Sequence, residues 1–157
     1  MARYGVTITS FATSTSERTA ALLHANAAGE RGELLEYIAT GDGTTGTGLD
    51  IQHRASIKSY DGTTAGTPGS TPTPVPADQW ANAARVLAPI EFSAEPTVLG
   101  VAIVLFGFNQ RGGWGWCRSE GAGLPFANRA SGIVGWACVV QSGATGAIDG
   151  TCIWAEA

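Results

Sequence analysis

A chain of 157 residues suits one domain and can bury a core without disulfide or metal staples. Only 14% of its residues are charged, against roughly 25% in ordinary soluble domains. The formal net charge of −4, with no Lys/Arg-rich window, argues against nucleic acid as a partner. No apolar run reaches the roughly 18–20 residues that span a bilayer, so no membrane partner is expected. MARYGVTITSF carries no secretory leader pattern.

Tyr4–Phe11 alternates, with Tyr4, Val6 and Ile8 opposite Gly5, Thr7 and Thr9, and predicts a half-buried strand. Ser16–Ala28 reads two ways. Ser16 can cap a helix that Gly29 stops, yet Leu22 and Leu23 are its only large apolar residues, and a strand over 20–25 fits equally. Glu33–Thr40 predicts a strand, followed by the loop GDGTTGTGLD and an alternating strand over Asp50–Lys58. Residues 61–77 contain four prolines, which forbid a central strand. They form either a solvated loop or an ordered arm lying on a neighbouring subunit. Asp78 is placed to cap a short helix that Pro89 ends, with Trp80, Ala83, Ala84 and Leu87 on one side. Ile90–Ser93 is a candidate short strand.

Thr97–Phe108 is apolar on both faces, a pattern that demands cover on both sides of the sheet. In a chain this size, a second copy is the expected extra cover. A tight turn over Asn109–Gly113 then leads to Trp114–Arg118, expected to return as the hairpin partner. Ser131–Gln141 is a second strand apolar on both faces, and Ile148–Trp154 is the last. The expected architecture is all-β, one antiparallel sandwich of about eight strands over 1–157, with one short helix and no βαβ rhythm.

Chemical motifs are sparse. Gly41, Gly43 and Gly46 match G-x-G-x-x-G, but a strand rather than a helix follows, so no phosphate cradle is expected. His24 and His53 are the only histidines, and His53 falls on the apolar side of its strand as a core residue. Cys117, Cys138 and Cys152 lack zinc-site spacing. They read as buried free thiols or as one disulfide plus a free cysteine. Glu91 and Glu95 are not marked as a catalytic pair, and there is no nucleophile elbow. No catalytic residue, cofactor or metal ligand is expected. Trp114 and Trp116 share a strand face and suit the sandwich core, a protein interface or a sugar-stacking platform. Arg111 is either a solvated turn residue or a fork for a carboxylate across subunits.

Tyr4-x-Val6-x-Ile8-x-x-Phe11, Glu95-Pro96-Thr97, the apolar strand ending in Asn109-Gln110-Arg111 and the aromatic strand after it resemble tailed-bacteriophage capsid decoration, or cement, proteins. The glycines at 112, 113 and 115 and the longer proline loop depart from that pattern. The resemblance implies a jelly-roll-like sandwich and a strand at 20–25. It implies a non-enzymatic homotrimer that binds the major capsid protein on the outer surface of the virion and is assembled in the host cytoplasm. The interface residues it suggests are Asn109, Gln110, Arg111, Trp114 and Trp116. The alternative is a receptor- or glycan-binding head module of a phage tail or fibre.

Overall fold

The computed structural model describes residues 1–42, 51–128 and 133–156. Ten strands follow one another: β1 (Ala2–Thr13), β2 (Arg18–His24), β3 (Arg31–Gly41), β4 (Gln52–Tyr60), β5 (Val75–Pro76), β6 (Val98–Asn109), β7 (Gly113–Cys117), β8 (Leu124–Ala127), β9 (Gly135–Ser142) and β10 (Gly146–Glu156). They build two antiparallel sheets. One has the order β5-β1-β10-β3-β7, with β8 also on β3; the other has the order β2-β9-β4-β6. With β5 and β8 set aside, this is the strand order of a jelly roll. The segment at 18–24 is a strand, so Leu22 and Leu23 face opposite sides of a sheet rather than one side of a helix.

The core fills the space between the sheets. Trp136, Cys138 and Val140 of β9, Ala55 and Ile57 of β4, and Phe106 and Phe108 of β6 line one wall. Tyr4, Val6 and Ile8 of β1, Tyr37 and Ala39 of β3, Trp116 of β7, and Cys152 and Trp154 of β10 line the other. The alternation in β1 is interrupted at Ser10, whose φ is 49°. There the ladder to β10 slips, and the Ser10 N–H donates to the Asp149 carboxylate at 2.7 Å. This bulge moves the buried positions from Tyr4, Val6 and Ile8 to Phe11 and Thr13.

A second cluster lies on the outer side of the four-stranded sheet, where Leu22, Tyr60, Ala137 and Val139 meet Phe92 and Val134. The long connection between β4 and β6 supplies Phe92. That connection folds back on its own sandwich. Thr67 N–H donates to Ala94 O, Gly69 N–H to Glu91 O, and Ala77 N–H to Arg3 O. Val75–Pro76 adds a short rung to β1. The proline segment is therefore bonded within its own protomer.

Three expectations need correction. The short helix after Asp78 is absent. Asp78 accepts N–H bonds from Trp80 and Ala81, one turn only, and the chain then runs extended with Val86, Ala88 and Ile90 buried. The N–H groups of Leu22 and His24 donate to Pro89 O and Leu87 O, so this segment closes the free edge of β2. Pairing an open edge satisfies backbone groups that a helix there would leave bare. Secondly, β7 is not the hairpin partner of β6. It crosses to the other sheet and pairs with β3, while β6 pairs with β4. Thirdly, Cys117 is exposed, whereas Cys138 and Cys152 are buried free thiols. In the glycine motif, Gly43 and Gly46 lie outside the described residues, as do Ser131 and Gly132 of the predicted strand at 131–141.

Candidate interaction surface

The turn at 109–112 carries the chain from one sheet to the other. Asn109 organises it: its side-chain oxygen accepts the Arg111 N–H and its carbonyl accepts the Gly112 N–H. Gln110 points inward and is buried. Its side-chain oxygen is bonded to Nε2 of buried His53, its amide donates to Ala147 O, and its backbone N–H donates to Ile51 O. The His53 ring stacks on Phe108 with centroids 5.1 Å apart, so the core reading of this histidine holds. A Cβ on Gly41 would overlap the Gln110 backbone, so only glycine permits this approach at the end of β3. Arg111 is exposed at the tip of the turn.

β7 explains its own GWGW spacing. Gly113 and Gly115 lie against the side chains of Thr40 and Ile38, which leave no space for a Cβ. The glycines seat the strand tightly on β3. The alternate positions, Trp114 and Trp116, face the other way. Trp116 is buried, with the Arg118 guanidinium 5.8 Å from its ring. Trp114 lies nearer the rim, its ring 4.0 Å from that of Phe106 and still partly open to solvent. The two tryptophans therefore share a face but not an exposure, and no platform of two open rings forms.

β6 is the last strand of its sheet, so one side of it has no partner among the described residues. Its inner residues Phe106 and Phe108 are buried, yet Leu99 (45% exposed), Val101 (81%), Ile103 (54%) and Leu105 (58%) are open. They lie on the outer face of the sheet, whereas exposed Trp114 (44%) packs on Phe106 of the inner face. From Thr97 to Cys117 the only charged side chain is Arg111. Native edge strands normally carry charges, prolines or a covering segment that discourage pairing with another chain. The edge of β2 is covered by residues 87–89 and part of β1 by β5, while β7, the last strand of the other sheet, is a second edge with no partner strand among the described residues. The neighbouring face is also charged and paired, through Arg54 and Lys58 with Glu17 and through Arg18 with Glu95.

The resemblance suggests Asn109, Gln110, Arg111, Trp114 and Trp116 as interface residues. Of these, Arg111 and Trp114 are exposed near the open edge, Asn109 shapes the turn, and Gln110 and Trp116 belong to the protomer's interior. Leu99, Val101, Ile103 and Leu105 were missing from that set. Their alternation was legible, but their exposure follows from the lack, among the described residues, of any segment packed on the outer face of β6 beyond Val98.

Among the described residues no three His, Cys, Asp or Glu side chains gather as metal ligands. An open hollow of about 460 Å³ is lined by Tyr4, Asn82, Arg85 and Glu156 among others. Its carboxylate, Glu156, accepts N–H bonds from Arg85, Val86 and the Trp154 indole. No helix among the described residues is long and apolar enough to cross a membrane. No protein-family model, no curated protein and no solved structure matches the chain.

Proposed function

We propose that this protein is a structural virion protein without catalytic activity. In this reading it binds the outer surface of a phage capsid as a homotrimer, contacts the major capsid protein and stabilises the shell. The observation that carries the reading is the uncharged, uncovered edge of β6. Leu99, Val101, Ile103 and Leu105 together present on the order of 400 Å² of apolar surface on the outer face. That lies within the range of the largest patch on a typical monomer, about 300–600 Å², and is about half of the ~800 Å² each partner gives to a standard interface. A surface of that kind suits permanent assembly with its own copies and with a shell. The jelly-roll order is compatible with virion structure, as fold-level analogy only.

Light scattering on the eluting protein, followed by cosedimentation with mature capsids of the matching phage, tests the reading. The expected results are a trimer at micromolar concentration, stoichiometric capsid binding, and capsids that release their genome at a higher temperature. A strict monomer that leaves capsids unbound would sink it. Adsorption of the free protein to host cells instead of capsids would favour a receptor- or glycan-binding head module. Arg111→Ala separates interface from core: the reading expects weaker assembly with an unchanged melting temperature.

A further inference from the structure

The centre of the core holds two thiols that neither the fold nor the proposed assembly requires. Cys138 lies on β9, between β2 and β4; Cys152 lies on β10, between β1 and β3. They come from the central strands of opposite sheets, and their sulfurs are 3.3 Å apart, with both side chains fully buried. A disulfide needs about 2.05 Å, so a closure of only about 1.3 Å, shared between two side chains, separates contact from bond. Inter-sheet bridges of this placement join the sheets of antibody-type sandwiches. Tyr37, opposite Cys152 in the β3–β10 ladder, is fully buried, and its hydroxyl has no hydrogen-bond partner among the described residues.

We propose that Cys138 and Cys152 are an oxidation site, at which hydrogen peroxide converts the thiol pair into a cystine linking the two sheets. The first thiolate attacks one peroxide oxygen, the O–O bond breaks, a sulfenic acid forms, and the departing hydroxide takes up the proton the thiol lost and leaves as water. The second sulfur attacks that sulfenic sulfur, the S–S bond forms, and a second water departs. Two thiols are oxidised and one peroxide is reduced, with no other reactant. Burial holds the Cys138 thiol well above its ordinary pKa, with Cys152 beside it adding to the effect. The thiolate is therefore scarce in the folded protein, and the reaction there is slow and faster in alkali. Exposed Cys117 reacts first with any reagent.

Cys117→Ser removes that competing thiol. This full-length variant is incubated folded with hydrogen peroxide at mildly alkaline pH, and in a second arm refolded with oxidised glutathione. Each sample is denatured, alkylated without reductant and mapped by mass spectrometry. The expected product lacks two hydrogens, links the Cys138 and Cys152 peptides, and melts about 5–10 °C higher until reductant is added. Adding Cys152→Ser should abolish both the link and the reductant-sensitive rise. The linked peptide in the peroxide arm supports the proposal, and a link that forms only on refolding with glutathione overturns it. Full alkylation of both cysteines in both arms, single oxidation to sulfinic acid without a link, or a linked protein that melts lower than the reduced one would each overturn it.

Discussion

β9 and β6 have the same kind of sequence and opposite fates. GWACVVQS and VLGVAIVLFGFN both lack a polar face, yet β9 is buried on both sides and β6 leaves Leu99, Val101, Ile103 and Leu105 in solvent. The difference is position. β9 lies between β2 and β4, its inner side chains meet the opposite sheet, and Phe92 covers its outer side. β6 has β4 on one side and nothing described on the other. An apolar pattern thus states that a face prefers cover; it does not say whether the chain itself provides it.

The contrast can be broken most forcefully at the covered strand. Trp136→Ala removes a fully buried indole and the hydrogen bond it donates to Pro125 O. Urea unfolding should show a loss of about 3–5 kcal/mol, a large fraction of a typical domain's stability. Next is the cover itself. Phe92→Ala should cost about 2–4 kcal/mol and leave Val139 and Leu22 open, read as a lower denaturant midpoint with increased dye binding. An unchanged midpoint would mean that the outer cluster adds nothing to the fold. Glu156→Gln leaves the side chain's shape but removes its charge from three N–H bonds, two of which fix the segment that closes β2. The expected loss is about 1–3 kcal/mol.

A pH effect is expected on the same covered side. Burial holds His24 below its ordinary pKa, with Glu30 and the Ala25 backbone pulling weakly the other way. The unfolded chain protonates this ring near 6.5, while the folded chain prefers it neutral. Protons therefore favour the unfolded state, and this contribution to stability is lost as pH falls below that value. His24→Asn should shrink the drop in melting temperature between about pH 7.5 and about pH 5.5. An equal drop in both proteins would remove His24 from the account. The smallest effect on folding belongs to the open edge. Val101→Lys should change stability by no more than about 0.5 kcal/mol yet abolish self-association in light scattering. A loss of several kcal/mol in the isolated subunit would instead make β6 part of a closed core.

Much of the sandwich was legible. Period-two alternation marked β1 and β4, ELLEYIAT read as the strand that is β3, and the apolar runs marked β6 and β9. His53 was read correctly as a core residue. The candidate surface was legible only in part. Arg111 and Trp114 are exposed, but Gln110 and Trp116 turn inward. No local signal separates Trp114 from Trp116, which share a strand face and differ only in distance from the rim. The helix after Asp78 failed for a related reason. The Ala-rich stretch favours a turn, but β2 offered it a backbone edge to pair with, and tertiary hydrogen bonding outweighs a weak propensity.

By itself the sequence determined that the chain is all-β, where most strands run, and that two of them have no wet face. These follow from side-chain periodicity and turn chemistry, which act over a few residues. The tertiary structure decided which sheet each strand joins, that β7 leaves β6 for β3, that Cys138 meets Cys152, and that β6 alone of the two apolar strands stays open. Each of those depends on pairing between segments distant in sequence. Pattern within a segment carries no information about which distant backbone will satisfy its hydrogen bonds or bury its side chains.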